Sequence, residues 1–297
     1  MYLRGSRVPT LFLVFALAMS GAFGCRTIVK SAATSAGMAT LDGLLTAIRR
    51  QSDPELVRQG LPTILLIVDG LLVTEPDSAG LLLAATTAYV SYCQAFVSDP
   101  DDTERAIKLY ARAREYGLRL LRQREYFDAA LHQPMEEYDR ALENFTVEDV
   151  PDLHAASAAW LGWVIAASES MEALADLPRA LALMERVLEL DDTYGNGSAH
   201  LVFGLYFILQ PLGAGQDLDR GRSHMERAIE LAGPQSLMPR VIFAEYFGKA
   251  TLDDGLFKRI LNAVIETDLD QYPEERLLNE IATQRAKLLL AQIDDFF

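Results

Sequence analysis

Two adjoining stretches decide the fold: GSAHLVFGLYFILQ (197–210) and LDRGRSHMERAIELAGP (218–234). The first is apolar over 198–209 and carries Gly204 between Phe203 and Phe207. It is read as one helix, separated from what precedes it by Gly195-Asn196-Gly197. The second has charged residues on one face and the series Gly221, Met225, Ala228 on the other, and it closes at Gly233-Pro234. Small residues at such a spacing let two helices approach closely, and the large one fills the space between neighbours. A loop over 211–216 is short enough to make the two helices antiparallel partners.

The same small-x3-large-x2-small series recurs outward from this pair. Ala106, Tyr110 and Ala113 fit it, as do Ala180, Met184 and Val187 with a larger third member, while Leu256, Ile260 and Ala263 fit poorly. The preceding helices carry Tyr89, then Gly162 beside Trp160 and Trp163, then Gly204. The series start 74, 41 and 35 residues apart, against a tetratricopeptide period of ~34. Helices are expected over 56–72 (Pro62 inside), 81–97, 103–122, 126–145 (interrupted by Pro134), from Pro151 to about 170, from Pro178 to 190, 217–231, from Pro239 to 249, 253–267, and 273–294. The helix over 126–145 occupies the 74-residue gap. No strand alternation and no hairpin turn between alternating runs is found. The fold class is therefore all-α, an irregular tetratricopeptide-like array of antiparallel helical hairpins.

The chain has 297 residues, half of them hydrophobic, with a formal charge of −15. That apolar fraction supports a real core. The acidic excess argues against nucleic acid, whose backbone selects clustered cations. Residues 1–24 read as a secretory signal: Arg4 and Arg7, then the apolar run LFLVFALAM (11–19), then small residues up to Cys25. The cysteine after that run resembles a bacterial lipobox, with Ala22 and Phe23 as departures, and makes Cys25 the expected lipid-attachment site and mature amino terminus. Arg26 follows in place of an aspartate retention signal, which favours the outer membrane. The domain plan is then signal 1–24, lipidated tether 25–40 and helical domain 41–297. Loss of Arg4 and Arg7 takes the 27 basic residues to 25 against 42 acidic ones, a net −17. Cys93, next to Tyr92, reads as a buried helix position.

Signs of chemistry are few. Gly195-x-Gly197 and Gly213-x-Gly215 follow no strand and carry no Lys-Ser/Thr, so they read as helix ends and turns. His132, His154, His200 and His224 have no metal-ligand spacing and read as surface or packing residues. Asp99, Asp101 and Asp102 lack the glycine and glutamate of a calcium loop. No G-x-S-x-G is present. Neither a cofactor, nor a metal, nor an enzymatic activity is expected.

Aligning the first helices on Tyr89, Gly162 and Gly204 puts Thr87, Val90, Trp163, Ala166, Leu201, Leu205 and Ile208 on one face. This almost wholly apolar face has two readings. It packs against another helix, or it lines a groove for a hydrophobic ligand or partner helix.

The segments at 53–97, RAIKLYARAREYGLRLL (105–121), AAWLGWVIA (158–166), GSAHLVFGLYF (197–207), HMERAIEL (224–231), AEYFGKATLDDGLFKRIL (244–261) and PEERLLNEIATQRAKLLL (273–290) match in order the T-component family of TRAP transporters. The chain resembles that family over about 40–297. The resemblance implies a periplasmic lipoprotein that binds the solute-receptor subunit of a tripartite ATP-independent periplasmic transporter. It also implies a homotrimer with an apolar pore for hydrophobic organic acids. On that reading Trp163, Leu201, Leu205 and Ile208 line the pore, and Tyr194, Asn196 and His200 supply polar contacts at its mouth. The alternative is a tetratricopeptide-type scaffold lipoprotein of envelope assembly.

Overall fold

The computed structural model describes residues 43–44, 46–97, 102–211 and 215–297. The signal segment, Cys25, the tether, the turn over 99–101 and Gly213 lie outside the described residues. Within them the chain is all-α, with no strand.

The main helices are α1 (Pro54–Thr74), α2 (Ala79–Phe96), α3 (Thr103–Leu121), α4 (Glu125–Ala130), α5 (Met135–Leu142), α6 (Val150–Ala166), α7 (Met171–Leu190), α8 (Tyr194–Leu209), α9 (Leu218–Ala232), α10 (Met238–Phe243), α11 (Asp254–Glu266) and α12 (Arg276–Ala291). α10 continues into a π-helical turn, Ala244–Gly248. Aspartate and serine caps set several starts. Asp53 Oδ1 accepts from the amides of Glu55 and Leu56 with Pro54 at the first helical position, Asp217 Oδ1 accepts from Arg220 N, and Asp253 Oδ1 accepts from Leu256 N.

Composition sorts the helices into two layers. α6 has no charged residue after Asp152 and is buried on nearly every side, and α8 is equally apolar. Helices of that kind belong inside. α3 buries Ala106, Tyr110, Ala113, Tyr116 and Leu120 and turns its charges outward, and α9 buries Gly221, Met225, Ala228 and Ala232 in the same way. Each inner helix packs on the outer helix that follows it: α2 on α3, α6 on α7, α8 on α9. α6 also packs closely on α3. Two apolar cores result. The first spans α1 to α8, the second spans α8 to α12, and α8 contributes to both. Cys93 lies in the first core, and burial pushes its thiol up to about 12.

The crossings depend on missing side chains. A Cβ on Gly162 would lie 2.2 Å from the Tyr110 ring. Where α8 crosses α9, a Cβ on Gly204 would lie 2.7 Å from Met225, and one on Gly221 2.6 Å from Ile208.

Two expected helices differ from what is seen. The helix expected to open at Pro178 begins seven residues earlier, at Met171. The Ser170 side chain accepts from Ala173 N, which starts the helix upstream and leaves Pro178 inside it. The helix expected over 126–145 is two short ones. Pro134 sits at the cap of α5, and the break lets Tyr138 and Phe145 close on Phe127 with ring centroids 5.7 Å away in each case. This wedge fills the space between α3 and α7, and Arg124 fixes it to α6 by pairing with Asp149 and Asp152.

The far end of the array returns to its start. α12 packs on α11 and α10 and also touches α1, and Arg50 donates to Glu274 just ahead of α12. Buried Asn279 secures the turn into α10: its Oδ1 accepts from Leu237 N (3.1 Å) and its Nδ2 donates to Gln235 O (2.9 Å).

Replacing Gly162 by alanine should lower stability by about 2 kcal/mol, because overpacking against Tyr110 outweighs the better helix propensity of alanine. Urea unfolding of G162A and of G162A/Y110L checks this, and the smaller residue at 110 should recover most of the loss.

Candidate functional site

α8 begins with an uncommon backbone. Tyr194 is followed by Gly195 (φ 59°), Asn196 (φ 57°) and Gly197 (φ 77°), all left-handed. Only glycine and, among other residues, chiefly Asn and Asp take that conformation readily. The turn leaves Tyr194 against α6, its ring edge-on to His154 with centroids 5.2 Å apart, and burial pushes its hydroxyl up to about 12. Ser198, where regular helix begins, is hydrogen-bonded through Oγ to His154 Nε2 at 2.7 Å. This pair clamps α8 to α6. Burial pushes the His154 imidazole down to about 4, so it is neutral at physiological pH.

The apolar residues singled out from sequence fall into separate places. Leu201 (2% exposed), Leu205 (1%) and Ile208 (2%) belong to the second core with Met225 and Ala228. Trp163 is half-buried against the first core, as is Tyr194. Within one chain these four apolar side chains therefore do not share a surface. The partly open side of α8 is another one, carrying His200 and Phe207.

That side is an aromatic and cationic cluster shared with α9. His200 Nδ1 and His224 Nδ1 are 2.9 Å apart, so one ring donates and the other accepts. His224 stacks on Phe207 (5.7 Å, 28°), and the Arg220 guanidinium lies 4.0 Å from the Phe207 centroid. Asp192 Oδ2 is 3.5 Å from His200 Nε2 and 3.2 Å from Arg227 Nη2. Burial lowers the His200 pKa despite Asp192. Burial, then His200 and Arg220, push His224 down to about 4.

A second cluster surrounds Trp163. Arg114 of α3 lies 4.1 Å from its ring centroid and 5.1 Å from that of Trp160. Arg114 Nη2 donates to Asp176 Oδ2 at 2.6 Å, and Trp160 Nε1 donates to the same oxygen at 3.0 Å. On the other core, buried Glu245 in the π-turn accepts from Arg285 of α12 at 2.7–2.8 Å. Among the described residues no group of three or more His, Cys, Asp or Glu side chains could hold a metal. The polar groups mostly satisfy one another, so the arrangement offers apolar and aromatic surfaces edged with guanidinium.

Sequence reasoning missed Arg114, Asp176 and Arg220, and took His224 only as a surface or packing residue. A signal for two of them existed. Arg114 stands one turn after Tyr110, which lies on Gly162 beside Trp163. His224 stands three residues after Gly221 and His200 four before Gly204, and these two glycines mark one antiparallel crossing.

The family profile described as TRAP transporter T-component matches residues 50–297. An uncharacterized protein of Treponema pallidum (strain Nichols) is 26% identical, with 83% of this chain and 81% of the relative aligned.

Half-buried His154 gives a pH dependence with a defined sign. Folded His154 stays neutral down to about 4, whereas an unfolded histidine takes its proton near 6.5. Its contribution is intact above pH 6.5 and is lost as pH falls towards 4. The loss at His154 should be on the order of 2 kcal/mol. Urea midpoints between pH 7.5 and 4.5 check it, and the slope should flatten in H154Q.

Proposed function

The chain belongs to the TRAP transporter T-component family, and from that premise we propose that it is a lipid-anchored periplasmic accessory subunit that docks the solute receptor of its transporter. The family match over nearly the whole helical domain carries this reading. Anchoring follows from Cys25 and its preceding apolar run, and an outer-membrane address from Arg26. The outward faces of α3, α7, α9 and α11, which bear the charged residues, are free to meet a soluble partner.

The ligand in this reading is a hydrophobic organic acid, and its route follows α8, the helix shared by the two cores. Leu201, Leu205 and Ile208 face one core and Trp163 the other, so passage requires the cores to part along that helix. Tyr194, Asn196 and His200 stand at its amino-terminal end. Guanidinium groups beside aromatic rings, Arg114 at Trp163 and Arg220 at Phe207, suit an apolar molecule with a carboxylate head. The inward packing of the remaining α8 face agrees with a helix that seals the path at rest. A homotrimer is part of the same proposal.

The receptor encoded beside this chain should bind the mature protein, seen by pull-down and titration, and absence of binding at tens of micromolar would sink the docking reading. Size-exclusion with light scattering reads the oligomer. Long-chain carboxylic acids should change the intrinsic tryptophan fluorescence, and W163F should lose most of that change, because Trp160 is buried and held by Asp176.

A further inference from the structure

α1 is the one helix among the described residues long and apolar enough to cross a membrane. Only a narrow seam of it, Val57, Leu65 and Leu72, is buried. The opposite side exposes Leu56, Leu66 (70%), Ile67, Leu71 and Val73 (81%). Between Arg58 and Glu75 the single charged residue is Asp69, and it is turned inward. Its Oδ2 accepts from the Tyr89 hydroxyl and its Oδ1 from the Tyr116 hydroxyl, each at 2.8 Å, and Arg112 stands 3.1 Å away. The result is an uncharged face about 25 Å long at 1.5 Å per residue, with its exposed apolar residues concentrated between Leu66 and Val73 and exposed Gln59, Thr63 and Thr74 the polar groups along it.

We propose that this stripe lies in the headgroup region of the lipid bilayer to which Cys25 tethers the chain, with α1 in the plane of the membrane. The proposal rests on the reading of Cys25 as the acylated residue. Three observations favour lipid. First, only 17 residues lie between Cys25 and Gly43. Even fully extended, that many residues reach at most about 60 Å, so acylation at Cys25 keeps the stripe near the bilayer at raised effective concentration. Second, the mature chain carries −17, and an anionic surface repels its acidic faces, whereas the stripe presents no exposed acid. Third, in-plane helices bury their apolar side about 5–10 Å deep, which leaves the inner seam in place. Spanning would strip the seam from α2 and carry the Asp69 carboxylate into hydrocarbon.

The test uses the mature chain with Cys25→Ser, so that any binding comes from the folded surface, and vesicles of phosphatidylethanolamine and phosphatidylglycerol at 3:1. Cys93 is buried and its thiol is pushed up to about 12, so an environment-sensitive label reacts at an introduced cysteine. L66C and V73C should shift to the blue and be quenched by lipids bearing nitroxides, and E115C on the outer face of α3 should not. The exposed-site variant L66S/I67S/L71S should keep its thermal unfolding and lose about tenfold in vesicle-bound fraction. Equal binding by that variant, or no lipid quenching at 66 and 73, overturns the proposal. So does a spectral shift that follows protein concentration instead of lipid, which would place a second copy on the stripe. Mass analysis of Cys25 and receptor titration are read separately. Loss of quenching with receptor binding intact removes only the membrane contact, and an unacylated Cys25 with quenching intact removes only the anchor.

Discussion

The stack depends on how closely its helices can cross. Tyr110 lies flat where Gly162 has no side chain, and α8 and α9 cross with Gly204 and Gly221 on opposite sides of the contact. With a Cβ at any of these three positions the helices would have to separate, and the apolar contacts on either side would lose their close fit. Everything placed by those crossings inherits their geometry. Arg114 reaches Trp163 because Tyr110 is seated on Gly162. His200 meets His224 because α8 and α9 touch backbone to backbone one turn away.

The layering also distributes charge. The inner helices carry almost none, and the outer ones carry it on the side away from the core. Two ion pairs that join different elements, Arg114 with Asp176 and Arg124 with Asp152, are half-buried. Exposed pairs within one helix, such as Lys108 with Glu104, contribute little. A body of this kind presents acidic, solvated surfaces over its outer layer and a neutral apolar one along α1. It therefore has distinguishable sides for a soluble partner and for lipid.

The helix crossings were readable because small residues at a crossing leave a mark in sequence. Gly221, Met225, Ala228 and Ala106, Tyr110, Ala113 are all buried where their spacing implied. The orientation of α8 was not readable. A helix that is apolar all round has no polar stripe to fix its rotation, so Leu201, Leu205 and Ile208 could not be told from the side that carries Phe207. The start of α7 was missed for a different reason. Proline is favoured in the first turn and costs about 3 kcal/mol deeper in a helix, so Pro178 read as a start, whereas the helix begins at the Ser170 cap and carries Pro178 inside it. The apolar run of α1 gave its length correctly, but its exposure is a tertiary fact: only the positions of its neighbours show which residues remain uncovered.

The bond from Arg50 to Glu274 spans 224 positions of sequence. An open stack of helical pairs can fold by growth from any nucleus, each unit needing only the next. Here α1 and α12 touch, which adds a contact whose loop-closure entropy is high. In synthesis from the amino terminus, α1 exists long before α12 is made to flank it. That last closure therefore waits for the whole chain, and until it forms α1 lacks the helix that flanks it.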